Sequence, residues 1–171
     1  MLEGMTDNGI GPARFDALPE PEAIELLLAC CASPEWARAV AAKRPYGSAE
    51  ALFAAADAAL AGVSEAEIDL AMAGHPRIGD RPDNANSARE QAGMADAGDA
   101  VRAAIAAGNR EYEAKFGHVY LVCATGLSPE RLLAILTERL GNDPAEERRI
   151  VRTELAKINR IRLGRLIGGQ A

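Results

Sequence analysis

Aromatic side chains are scarce: three Phe, three Tyr and one Trp make up 4% of the 171 residues. That scarcity, with few β-branched runs, argues against a large sheet, so Ala, Leu, Ile and Val must fill the core of a helical protein. A basic excess is also missing. Nineteen Lys and Arg face twenty-five Asp and Glu, a net charge of −6, which argues against a nucleic-acid binder. The acidic residues are dispersed, as expected of a solubilising surface. No apolar run approaches the ~20 residues that cross a bilayer. The three cysteines, Cys30, Cys31 and Cys123, are odd in number and form no C-x-x-C pair. They suit neither a disulfide framework nor a zinc knuckle and read as buried thiols in a reducing compartment. The N-terminal MLEGMTDNGIGP lacks the basic start and apolar core of a secretion signal, and the last residues carry no peroxisomal tripeptide. The expected location is cytoplasmic.

What is present is helical punctuation. Pro19 and Pro21 open an apolar stripe of Ala23, Leu26, Leu27 and Cys30, ending near Ala32. Ser33-Pro34 starts a helix through about Lys43, and Ser48 starts one that Gly62 closes. Ser64 begins a capping box whose short helix stops at Gly74 and Pro76. A helix is expected from Ser87, interrupted near Gly93, and a longer one from about Gly98 to Phe116. His118 to Cys123 is strand-like but has no partner strand, which predicts an extended connector. Ser128-Pro129 opens a helix to about Leu140. Asn142-Asp143-Pro144 opens the last, from Ala145 to roughly Leu166, with Ile150, Val151, Leu155, Ile158, Ile161 and Leu166 as its buried stripe. The expectation is a disordered lead over residues 1–13, then a single all-α domain over 14–168, a compact bundle of seven or eight helices.

Only two histidines occur. His75 stands in HPRIGD between Gly74 and Pro76, and its pKa of ~6.5 suits it to proton transfer near neutrality. It also suits the end of a helix, where its ring can bond terminal carbonyls. The following segment, SAREQ from Ser87 to Gln91, has two readings as well. Ser87 and Glu90 form a capping box; yet Ser87, Glu90 and Gln91 share one helical face, near amide groups that favour an anion. Arg162 carries a planar fork for a carboxylate or urea oxygen, or is a solvated charge beside Arg160 and Arg165. His118 fits packing or a turn better than catalysis. His75, Asp80, His118 and Cys123 show no metal-ligand spacing, so no metal is expected.

Several blocks in order, Phe15-Asp16-Ala17-Leu18-Pro19, Leu28 through Ser33 with Trp36, HPRIG, SAREQAG, Asn109 with Tyr112 and Lys115-Phe116-Gly117, Arg139 through Asp143, and Glu154 through Leu163, resemble the 2-oxo-4-hydroxy-4-carboxy-5-ureidoimidazoline (OHCU) decarboxylases. The resemblance implies an all-α, cofactor-free carboxy-lyase of urate breakdown, usually a homodimer, whose product is (S)-allantoin. It acts after urate oxidase and hydroxyisourate hydrolase. Position by position it implies His75 and Glu90 as catalytic residues, and Pro76, Ser87, Gln91 and Arg162 as substrate contacts. The backbone at Val119 and Tyr120 would meet the ureido and ring edges. The family's FGFPF is Phe116-Gly117-His118-Val119-Tyr120 here. Two other readings stand beside this one. They are a lyase for a related ureido or hydroxy-acid substrate, and a non-catalytic helical binding or dimerisation module in which His75, Glu90 and Arg162 face separate surfaces.

Overall fold

Four serines cap helices as their positions suggest. Ser33, Ser48, Ser64 and Ser128 each accept the backbone N–H three residues on, from Trp36, Ala51, Glu67 and Arg131, at 3.1–3.3 Å. The computed structural model describes residues 9–80 and 85–168. Among them are nine α-helices: α1 Pro12–Ala17, α2 Glu20–Cys30, α3 Pro34–Ala42, α4 Ala49–Gly62, α5 Glu65–Ala73, α6 Ala85–Glu90, α7 Asp99–Phe116, α8 Pro129–Arg139 and α9 Pro144–Ile167. One 3₁₀ turn, Ala92–Asp96, lies between α6 and α7. No strand occurs among the described residues, and the protein is all-α. The helix beyond the expected count is α1. Its six residues are too few to show a period, yet Phe15 within it is fully buried. Of the expected N-terminal lead, residues 1–8 lie outside the described residues, while Ile10 and Gly11 donate to the carbonyls of Leu166 and Ile167 at 2.9 and 3.0 Å.

The chain forms two units. One comprises the residues up to Gly74 with those from Ala156 onward; the other is His75–Leu155. In the first, Phe15, Leu27, Trp36, Leu52, Phe53 and Ile68 are almost wholly buried. The Trp36 indole N–H donates to the Ala56 carbonyl at 3.0 Å, tying α3 to α4. Arg44 donates to the carbonyls of Phe15 and Leu18 at 2.8 Å, holding the turn after α3 against α1.

The second unit packs Ile78, Met94, Ile105, Tyr112, Tyr120, Leu132 and Leu136 together with Val122 and Ala124 of the connector. The connector pairs with no strand; side chains hold it instead. Arg139 Nη1 donates to the Leu121 carbonyl at 2.7 Å, and the Cys123 N–H donates to Glu154 Oε1 at 2.9 Å. Arg139 is in turn fixed by Glu147, through Nε at 2.8 Å and a second contact from Nη2. The Tyr112 hydroxyl and the Asn142 amide donate to the same carboxylate. Burial opposes the Arg139 charge, but the Glu147 carboxylate outweighs it and keeps the guanidinium firmly protonated. Burial together with the bond to Glu147 pushes the Tyr112 phenol far up, so it stays a donor.

These polar groups correct the expected stripe of the last helix. Val151, Leu155 and Ile158 are buried as expected, whereas Ile150, Ile161 and Leu166 are half-buried. Glu147, Glu154, Asn159, Arg162, Leu163 and Ile167 take core positions in their place. A hydropathy pattern assigns charged residues to water; here paired carboxylates and guanidinium groups occupy the inward face.

Removing one member of a buried ion pair leaves the other charge uncompensated. Arg139→Ala is therefore expected to lower stability by about 3–5 kcal/mol, read from the denaturant midpoint. A change below 1 kcal/mol (order of magnitude) would contradict the packing described.

Candidate active site

The HPRIGD loop follows α5, and four of its six residues are anchored. Gly79 sits at φ +94°, a conformation that glycine adopts without strain, and the Asp80 N–H closes a turn on the Arg77 carbonyl at 3.1 Å. The Gln91 side chain grips this turn at two points. Its Oε1 accepts from the Gly79 N–H at 3.0 Å and its Nε2 donates to the Arg77 carbonyl at 3.3 Å. Asn109 on α7 donates to the Ile78 carbonyl at 3.0 Å, and Ile78 itself is in the core. One turn on from Asn109, Glu113 takes the Arg77 guanidinium in a two-point contact of 2.6 and 2.9 Å. His75 and Pro76, the first two residues of the loop, are half-buried.

The SAREQ segment differs from its capping-box reading. Helix α6 is already under way at Ala85, so Ser87 lies inside it and its carbonyl accepts from the Gln91 N–H at 3.0 Å. Ser87 is 2% exposed and Glu90 7%. The chain then turns sharply, and at Gly93 an added Cβ would stand 2.6 Å from the Leu127 carbonyl oxygen, a space that only glycine fits.

Seven of the eight sequence-predicted residues belong to the second unit: His75, Pro76, Ser87, Glu90, Gln91, Val119 and Tyr120. The two motifs are joined by the Gln91 amide. Tyr120 is buried, its hydroxyl donating to the Leu132 carbonyl at 3.0 Å, so its side chain belongs to the core. The Val119 carbonyl accepts from His118 Nδ1 at 3.0 Å. The His118 ring also lies edge-on to Tyr112, with centroids 5.5 Å apart, a packing role. Arg162 belongs to the first unit. It is 7% exposed rather than solvated, and Nη1 donates to the Cys30 carbonyl at 3.0 Å. Burial raises the Cys30 thiol to about 12, against an opposing pull from Arg162, so this cysteine stays protonated.

Beside Gln91 lies a cleft of about 400 Å³, lined also by Gly79, Asp80, Ala88, Ala92, Met94, Ala95 and Arg102. Among the described residues no three His, Cys, Asp or Glu side chains gather as a metal site would need. The rigid loop that carries His75 is held by Gln91, the residue that follows the buried Glu90 in sequence.

The OHCU decarboxylase family model matches residues 16–164. The chain belongs to the OHCU decarboxylase family. It is 31% identical over 150 residues to the uric acid degradation bifunctional protein TTL of Arabidopsis thaliana, covering 83% of this chain and 46% of that protein. It is 42% identical over 79 residues to the 2-oxo-4-hydroxy-4-carboxy-5-ureidoimidazoline decarboxylase of Amia calva, covering 45% of this chain and 44% of that protein. Each match thus spans less than half the length of the curated relative. A crystal structure of OHCU decarboxylase in the presence of (S)-allantoin superposes with a TM-score of 0.74 at 26% identity, over 82% of this chain and 95% of that one. An (S)-allantoin synthase structure, at 18% identity and a TM-score of 0.70 over 90% of this chain and 53% of that one, shares the fold.

Within this family fold, sequence reasoning missed Asn109, Arg139, Glu147 and Glu154 as the residues that hold loop and connector. Glu147, Val151, Glu154 and Leu155 recur at helical spacing. An acidic residue in register with an apolar stripe was the available signal.

If Gln91 fixes the loop, Gln91→Ala should release the Gly79 amide. Its hydrogen exchange is expected to speed up by at least about tenfold, with amides of the α7 core unchanged, as local opening rather than global unfolding produces. Equal protection in variant and wild type would contradict the clamp.

Proposed function

We propose that the protein decarboxylates 2-oxo-4-hydroxy-4-carboxy-5-ureidoimidazoline to (S)-allantoin, without a cofactor. The observation that carries this reading is the family match over residues 16–164, which spans both the anchored HPRIGD loop and the SAREQ segment. In the proposed reaction the bond from the ring carbon to the carboxylate breaks and carbon dioxide leaves. The electron pair passes into the conjugated ring imine, and a proton then reaches the same carbon. The substrate supplies its own electron sink.

His75 and Glu90 are the catalytic pair in this reading. His75 engages the carboxylate and neighbouring hydroxyl and holds the scissile bond out of the ring plane. Glu90 holds ring and ureido nitrogens, and delivery of the proton to one face gives one enantiomer. Ser87 and Pro76 shape the surroundings. Gln91 spends its oxygen and one amide hydrogen on the loop and keeps a second hydrogen for the substrate. Backbone groups of Val119 and Tyr120 take the ureido and ring edges, and Arg162 takes a carboxylate or urea oxygen. The reading includes a homodimer in the cytoplasm, supplied by hydroxyisourate hydrolase downstream of urate oxidase. No helix among the described residues is long and apolar enough to cross a membrane.

The test generates the short-lived substrate from urate with urate oxidase and hydroxyisourate hydrolase, and follows its decay and the chirality of allantoin by circular dichroism. Fast decay to (S)-allantoin is expected, slowed by roughly 100- to 10,000-fold in His75→Ala, the usual worth of acid–base assistance. Decay at the spontaneous rate with well-folded wild type would contradict the assignment.

A further inference from the structure

The connector from Val119 to Cys123 is gripped at alternate residues. Arg139 takes the Leu121 carbonyl at 2.7 Å, and Glu154 takes the Cys123 N–H at 2.9 Å. The third grip is local: the Val119 carbonyl lies 3.0 Å from Nδ1 of His118. In extended backbone, alternate residues turn their N–H and C=O groups to the same edge. The three side chains thus hold one edge of the connector. Arg139 and Glu154 secure its far end. Its near end follows Gly117, the left-handed cap of α7 at φ +79°, which lends no side chain to hold it. Among the described residues, no hydrogen bond other than that from His118 reaches the Val119 backbone.

A carbonyl has no hydrogen to give, so this contact requires the proton on Nδ1. In the other neutral tautomer two lone pairs would face each other at 3.0 Å. Aromatic neighbours set the direction in which Nδ1 points. The His118 ring lies edge-on to Tyr112 and stacks on Phe116, with centroids 5.5 and 6.2 Å apart, and Tyr112 is itself tied to the buried Glu147. Building on the decarboxylase reading, in which backbone at Val119 and Tyr120 meets the ligand, we propose that His118 is a positioning residue. Locked in its Nδ1–H form, it holds the Val119 carbonyl and completes the edge that Arg139 and Glu154 secure further on. The backbone that meets the ligand is then set before the ligand arrives. His118 acts through that backbone and not on the reacting atoms.

Two replacements on the full chain separate the ring from its donor. His118→Phe keeps an aromatic ring against Tyr112 and Phe116 but has no N–H to give. His118→Asn puts an amide N–H near the place of Nδ1 but has no ring. With the substrate generated in solution, His118→Phe is expected to lose about threefold to tenfold in kcat/KM, the worth of one neutral hydrogen bond, while His118→Asn stays within about twofold of wild type. The reverse order, or an equal loss in both, overturns the proposal in favour of packing alone. Imidazole nitrogen NMR spectra of ligand-free wild type, at a pH where a free imidazole is neutral, should show His118 protonated at Nδ1. Its signals are the ones missing from His118→Phe. Protonation at Nε2 overturns the proposal whatever the variants do. The Val119 carbonyl carbon resonance should move in His118→Phe and hold in His118→Asn; an unmoved resonance in His118→Phe overturns the grip. Wild type that does not turn over refutes the decarboxylase reading, whereas the tautomer and the Val119 resonance judge His118 independently of turnover.

Discussion

The buried ion pair between Arg139 and Glu147 is the constraint on which the second unit depends. Side-chain exposure is 5% for the arginine and zero for the glutamate. Taking both charges out of water is costly, and their attraction offsets this only if the remaining hydrogen-bonding capacity is met. It is met here: Tyr112 and Asn142 complete the carboxylate, and the Leu121 carbonyl takes an Arg139 hydrogen. The guanidinium also lies 5.1 Å from the centroid of the Tyr120 ring. One pair thus ties α7, α8, α9 and the connector to one another. A backbone stretch without a sheet partner gains a fixed position from side chains alone.

The HPRIGD loop follows the same logic with neutral groups. Gln91 and Asn109 bind three consecutive positions of its backbone, and Glu113 holds its one arginine. In such a loop the motif's letters divide in two. Arg77, Ile78, Gly79 and Asp80 serve the geometry, and on the proposed function His75 and Pro76, just ahead of them, serve the chemistry. A catalytic group that must orient a scissile bond gains from this kind of rigidity, because its placement is settled before the substrate arrives.

Much of the fold was legible because short-range rules governed it. Serine caps, proline starts and glycine stops mark the helix ends, and Ser33, Ser48, Ser64 and Ser128 all act as their positions suggested. The connector was legible from the absence of a second strand. Two features were not. Helix α1 is too short to show a period. The polar core along α9, with Glu147, Glu154 and Arg162 facing inward, contradicts the hydropathy pattern: Glu147 is met by Arg139 and Tyr112, Glu154 by the Cys123 N–H and Arg162 by the Cys30 carbonyl, partners that no local pattern announces. Among the candidate residues, motif order marked His75, Ser87, Glu90, Gln91 and Arg162. Capping logic misread Ser87, and nothing local announced that Gln91 and Asn109 brace the loop.

Buried polar side chains fix the connector backbone, which on the proposed function is the backbone that meets the ligand. The most direct test is the kcat of the double replacement Arg139→Met with Glu147→Leu, which removes both charges together and leaves no uncompensated ion. The account predicts a folded protein whose kcat drops by about 100-fold, the cost of a misplaced reacting geometry, because the Leu121 carbonyl has lost its holder. A folded double variant that turns over at the wild-type rate would contradict it.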